Sequence, residues 1–156
     1  MAKKFKKNEL FSTPSTNSKI EKFVNHLMKD GKKSIARKIF YDCMEEIKKN
    51  GHINPFAVWE IAIENSSPSV MVKSKRIGGA VYQVPLEVKS DKKFFYAVRW
   101  ILMYSRQKKG VPMYKALAEE LLAAYSNQGS SVKRKEDTHK MAEANKAYAY
   151  LAKYVK

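Results

Sequence analysis

The residue types that usually carry chemistry are present in this chain, but their spacing withholds it. The three histidines, His26, His52 and His139, lie far apart and lack the spacing of metal ligands. A single cysteine, Cys43, excludes an internal disulfide, a cysteine-rich zinc site and a Cys-x-x-Cys redox pair. Its place on an apolar stripe marks it as core. Glu45–Glu46 and Glu119–Glu120 are adjacent pairs on predicted helices. Helical neighbours point about 100° apart, so each pair splays and reads as a solvated face, not as an acid–base couple. Gly31-Lys32-Lys33-Ser34 resembles the end of a phosphate-binding loop. It fails because His26 stands where the first glycine belongs and because the segment joins two helices instead of following a strand. The sequence therefore predicts no enzyme, no metal, no cofactor and no small-molecule substrate.

What remains is electrostatic. The chain has 156 residues, 31 of them Lys or Arg against 15 Asp or Glu, for a formal net charge of +16. That excess points to a polyanion partner. Its placement is uneven. Residues 1–40 carry 11 basic and 3 acidic groups, whereas residues 41–70 carry 2 basic and 5 acidic. The cations cluster at Lys3, Lys4, Lys6 and Lys7, at Lys32–Lys33 in a predicted loop, and at Lys73, Lys75 and Arg76 beside Tyr82 and Gln83. Arg99 and Arg106 stand seven residues apart on one predicted helix face, extended by Lys108 and Lys109. Lys133, Arg134, Lys135, Lys140 and Lys146 decorate the last helix. Each cluster alone could be a solvated face; together they predict one face set against phosphates. The acidic stretch, with Glu45, Glu46 and Glu60, is expected to face solvent or a neighbouring protein.

These residues need a scaffold, and the apolar pattern predicts a mainly α one. With 44% hydrophobic and 12% aromatic residues, the chain has material for a real core. Residues 1–18 read as a basic, flexible arm, and 19–156 as a single helical domain. Ile20, Phe23, Val24, Leu27 and Met28 make a first helical stripe ended by Gly31. Ser34 is the expected cap of a second helix with Ile35, Ile39, Phe40, Cys43 and Ile47 inward. Asn54–Pro55 starts a third, with Phe56, Trp59 and Ile63 inward. Asp91 caps a fourth running to Lys109. Pro112 opens a fifth that includes Tyr125 and ends at Gly129. A sixth starts near Val132 and continues through Met141, Tyr148, Leu151 and Val155. Between the third and fourth, residues 70–88 alternate around Gly78–Gly79 and read as a β-hairpin. The architecture is thus a six-helix body with a protruding β-ribbon arm. No apolar run approaches the ~20 residues of a membrane span, so no membrane partner is expected.

The hairpin also carries a resemblance. Val72-Lys73-Ser74-Lys75-Arg76-Ile77-Gly78-Gly79-Ala80-Val81-Tyr82-Gln83-Val84-Pro85-Leu86-Glu87-Val88 closely resembles the signature of the small-subunit ribosomal protein seven family, of bacterial and organellar type. Met28-x-Asp30-Gly31-Lys32-Lys33-Ser34, Ala62-Ile63-Glu64-Asn65 with Pro68, Arg99-Trp100 and the run Lys133–Ala147 support it in the same order. The resemblance implies a ribosomal protein that binds the 3′ major domain of small-subunit ribosomal RNA directly and nucleates assembly of the subunit head. It implies a place at the exit site, near its tRNA and the messenger, beside small-subunit protein eleven and other head proteins. Lys32, Lys33 and the hairpin base would hold ribosomal RNA; Arg76, Gly78, Gly79, Tyr82 and Gln83 would face the tRNA and messenger. The setting would be a small ribosomal subunit in a bacterial cytoplasm, mitochondrion or plastid. Three departures stand out: Thr13-Pro14 for the usual Asp-Pro, Lys75-Arg76 for Arg-Arg, and Leu151–Lys156 for the usual aromatic-Arg-Trp ending. The competing reading of the residues is a DNA-bending architectural protein with a β-arm, although Gly78–Gly79 beside Arg76 offers no obvious intercalating wedge. An RNA-acting enzyme comes third and lacks a catalytic constellation.

Overall fold

A computed structural model describes residues 14–154, and the side chains of residues 18–153. Six α-helices run in chain order as α1 (Pro14–Leu27), α2 (Lys33–Lys49), α3 (Pro55–Ser66), α4 (Ser90–Gln107), α5 (Met113–Tyr125) and α6 (Ser130–Ala144). A hairpin of β1 (Val70–Ile77) and β2 (Ala80–Glu87) separates α3 from α4, and a 3-10 helix (Lys146–Tyr154) follows α6.

The stripes read from sequence make the core. Phe23 and Val24 of α1, Phe40, Cys43 and Ile47 of α2, Trp59 of α3, Val98 and Ile101 of α4, and Leu117 and Leu121 of α5 are all fully buried. Trp59 lies nearly perpendicular to Phe23 and Phe40, with centroids 5.8 and 5.9 Å away, a favoured edge-to-face arrangement. Helix α5 packs against α2, α3, α4 and α6, so it is the post around which the body closes. Burial pushes the Cys43 thiol far above its usual range, which leaves it an inert core residue.

Several boundaries differ from the sequence reading. Helix α1 starts at Pro14, so the last five residues assigned to the arm are helical; proline at a first helical position forfeits no hydrogen bond. Helix α2 starts at Lys33 after positive-φ turns at Asp30 and Gly31, and it has no side-chain cap; Ser34 lies inside its first turn. Asn54 does cap α3, accepting from the Ala57 amide at 3.2 Å. Asp91 sits in the first turn of α4 without capping it, and that helix stops at Gln107. Ile35, Tyr125, Met141 and Tyr148 are exposed, not inward.

The sixth helix is also shorter than expected. Asn145 turns its side-chain amide back onto the Met141 carbonyl at 2.8 Å, a local bond that competes with helix propagation. The chain then leaves as the 3-10 helix and packs along β2.

Helix α6 is anchored from an unexpected side. Glu119 is exposed, but Glu120 is only 3% exposed, which corrects its reading as part of a solvated face. Its Oε1 accepts from both the amide and the hydroxyl of Ser131 at 2.9 Å. Gly129 offers α6 no capping side chain, so a carboxylate from α5 satisfies its first turn instead.

Gly78 and Gly79 both have positive φ, 58° and 90°, as a two-residue type I′ turn requires. The register pairs Ile77 with Ala80, Lys75 with Tyr82 and Val72 with Pro85. Strand alternation then sets Ser74, Arg76, Val81 and Gln83 on one face, and Lys75, Tyr82, Val84 and Leu86 on the other. Val84 is fully buried and Val81 is 65% exposed, so the second face is the inward one. Helix α6 flanks β1, and the 3-10 helix flanks β2.

Candidate nucleic-acid interface

Intramolecular bonds divide the expected RNA-binding cations into two sets. The first set is tethered. Lys33 Nζ lies 2.9 Å from Glu21 Oε2. Arg37 grips the same carboxylate, donating through Nη2 to Oε1 at 2.9 Å and to Oε2 at 3.0 Å. The Arg37 bonds, then Lys33, hold the Glu21 carboxyl below its usual range, and the Arg37 guanidinium is raised in return. Arg106 Nη2 donates to the Leu27 carbonyl at 3.2 Å, at the C-terminus of α1. Lys108 pairs with Glu119 at 2.8 Å. The Lys135 ammonium donates to the Asn65 carbonyl at the end of α3. Cations at helix C-termini satisfy orphan carbonyls and oppose the helix dipole, so Arg106 and Lys135 serve the fold as well as the surface.

The second set has no side-chain hydrogen bond or ion pair among the described residues: Lys32, Lys73, Lys75, Arg76, Arg99, Lys109, Lys133, Arg134 and Lys140. All are exposed except Lys75, which is half-buried. Lys133 and Lys140, seven residues apart, share a face of α6. Lys32 ends the loop before α2 as its N-cap residue, whereas Lys33 is already the first residue of the helix. Lys3, Lys4, Lys6 and Lys7 lie outside the described residues.

The hairpin separates the residues that sequence reasoning had grouped at its tip. Arg76 and Gln83 share the outward face, where Ser74 Oγ lies 3.1 Å from Gln83 Oε1. Tyr82 belongs to the inward face, its ring 5.4 Å from Tyr148 of the 3-10 helix. Gly78 and Gly79 are exposed at the turn. The base is tied to α6: the Ser69 amide donates to His139 Nε2 at 3.0 Å. Burial, and then the Lys135 charge, lower the His139 pKa and favour the neutral ring that this bond requires.

In the acidic stretch Glu45 and Glu60 are exposed and Glu46 is half-buried. Glu46 pairs with Lys49 at 3.5 Å and Glu60 with Lys19 at 3.8 Å.

Two surface features emerge from the fold. Lys92 stands seven residues before Arg99 on α4, so one face carries Lys92, Arg99 and Arg106 in a row. The same spacing that linked the two arginines reaches it. Phe95 and Leu102 lie between these cations, and with His26, Arg99 and Arg106 they line a cleft of about 240 Å³. The second feature is Val81, a large apolar residue of the hairpin that is 65% exposed. Only the strand register reveals that it accompanies Arg76.

The description "Ribosomal protein S7p/S5e" belongs to the family profile that matches residues 1–146. The chain belongs to this family. It is 51% identical over 132 residues to the small ribosomal subunit protein uS7 of Protochlamydia amoebophila, covering 84% of each chain. Against the protein of the same name from Lawsonia intracellularis it is 45% identical over 145 residues, covering 92% of this chain and 93% of the relative. Against that of Thermodesulfovibrio yellowstonii it is 47% identical over 145 residues, with the same coverage. As a member of a ribosomal protein family the chain is a structural protein and not an enzyme, and RNA binding and a part in translation follow from that membership. The Lys75 departure falls on the inward strand face, whereas Arg76 keeps its guanidinium on the outward one. The DNA-bending alternative has no support from the family.

Proposed function

We propose that this S7p/S5e member binds the 3′ major domain of small-subunit ribosomal RNA directly and nucleates assembly of the subunit head. Its outward hairpin face, led by Arg76 and Gln83, then lies at the exit site near tRNA and messenger, next to small-subunit protein eleven and other head proteins. The setting is a bacterial-type small subunit, in the cytoplasm of a bacterium or in an organelle.

The observation that carries this reading is the free set of cations. Among the described residues no carboxylate pairs with them, and a phosphate backbone supplies the missing counter-charge. The experiment is head reconstitution with the full chain and small-subunit RNA. Replacing Lys133, Arg134 and Lys140 with Gln is expected to weaken binding and delay head formation while the helical circular dichroism is unchanged. Unimpaired assembly by that variant would refute direct phosphate binding through α6.

A further inference from the structure

The cleft between the end of α1 and the outer face of α4 has a composition that phosphate binding alone does not require. Its floor is apolar: Leu102 is 3% exposed, and Phe95 is half-buried, with His26 edge-on to its ring at 5.4 Å. Its rim is cationic, with Arg99 free, Arg106 beside it, and Lys92 Nζ 5.7 Å from the Phe95 centroid. A double helix would present to this rim phosphates, sugar hydroxyls and base edges but no free base face, and the Phe95 ring would stay unstacked. An unpaired nucleotide offers both an apolar base face and a phosphate, the combination that single-strand sites meet with an aromatic platform inside a basic groove.

Arg106 explains how an anion is tolerated here. The C-terminal carbonyls of α1 are the negative end of a helix dipole, and Arg106, which lines the cleft, bonds the Leu27 carbonyl among them. The Arg106 guanidinium donates to it at 3.2 Å and so removes the repulsion a phosphate would meet. Arg106 is thus a positioning residue, and Arg99, four residues after Phe95 on the same helix and without an ion pair or hydrogen bond among the described residues, is a cation available to the phosphate itself.

We infer that the His26–Phe95–Arg99–Leu102–Arg106 cleft holds one unpaired RNA nucleotide, its base against the half-buried Phe95 ring and its phosphate on Arg99. This rests on the RNA-binding reading above and adds a subsite to it.

The test uses the full chain and a fragment of the 3′ major-domain RNA, with dissociation constants measured across a series of salt concentrations. Phe95→Leu is expected to bind roughly ten-fold more weakly with an unchanged salt dependence, because a base contact releases no counterion. Arg99→Gln is expected to weaken binding and to lower the salt slope by about 0.7, the single-strand value for one phosphate. Phe95→Tyr, which keeps the aromatic face, should bind like the wild type, and this controls for any loss of folding in Phe95→Leu. If Phe95→Leu and Arg99→Gln both bind within two-fold of wild type while the Lys133, Arg134 and Lys140 triple variant still loses affinity, the subsite is wrong and the RNA-binding reading stands. If Phe95→Tyr is as weak as Phe95→Leu, the base contact is wrong. If the triple variant binds as the wild type does, the failure lies in the broader reading.

Discussion

Glu120 and Ser131 are joined by two hydrogen bonds, both to the same carboxylate oxygen and both 2.9 Å long. The pair stitches α5 to the start of α6, and Ser66 Oγ of α3 joins it 3.2 Å from the Ser131 hydroxyl. Three helices therefore meet at one buried polar cluster. Removing the acceptor strands a buried amide and a buried hydroxyl, each of which costs about 1–3 kcal/mol when unpaired. Glu120→Ala should lower urea-unfolding stability by that order, and Glu120→Gln, which keeps an acceptor oxygen, should lose less. Equal stability for Glu120→Ala and wild type would show that Ser131 finds another partner.

Gly129 makes room for this junction. A Cβ built there would lie 3.0 Å from the Ala124 amide nitrogen and 3.0 Å from Glu120 Oε1. Its φ of −70° is ordinary, so the demand is steric and not conformational. Gly129→Ala is expected to destabilise the protein by about 1–3 kcal/mol, the usual cost of forcing an extra methyl into a packed site. Thermal unfolding measures it; an unchanged midpoint would mean that the α5–α6 turn relaxes freely.

The contact of Tyr82 with Tyr148 predicts that the hairpin and the C-terminal 3-10 helix hold each other. Tyr148→Ala should release that helix, and limited proteolysis should then cut faster at Lys146 and Lys153. Tyr150 is 67% exposed, and Tyr150→Ala should leave the cleavage rate unchanged. If both variants are cut alike, the tyrosine contact does not restrain the C-terminal segment.

His139 gives the hairpin base a pH dependence. Its pKa in the folded protein lies below the reference of 6.5, so between the two values the unfolded chain binds the proton more readily. The stabilisation is fully present above about pH 6.5 and is lost as pH falls from there through the folded value. Amide exchange at Ser69 should therefore accelerate between neutral pH and pH 5 beyond its intrinsic rate, and His139→Asn should remove that extra component. A Ser69 protection factor that does not vary over this range would contradict the linkage.

Much of this was readable from the chain. Helix stripes such as Phe23–Val24–Leu27 depend only on spacing, and the Gly78–Gly79 turn depends on a local backbone demand. The roles of Glu120, Arg106 and Lys135 were not readable, because each partner lies at least eleven residues away in sequence. Composition can count cations, but only packing tells a free Arg99 from an Arg106 bonded to the end of another helix. For the same reason Tyr82 looked like a companion of Arg76 until the strand register turned it to the opposite face.

Untethered cations, not net charge, are expected to carry RNA binding. Two triple variants remove the same formal charge: Lys109, Lys133 and Lys140 to Gln from the free set, and Lys33, Arg37 and Lys108 to Gln from the set paired with Glu21 or Glu119. The salt dependence of binding to the 3′ major-domain RNA fragment is measured for both. Each lost phosphate contact should lower the logarithmic slope by about 0.7–0.9, so the free-set variant is expected to lose roughly 2 to 3 and the paired-set variant almost nothing. Equal losses for the two variants would contradict the account, since binding would then follow total charge regardless of intramolecular pairing.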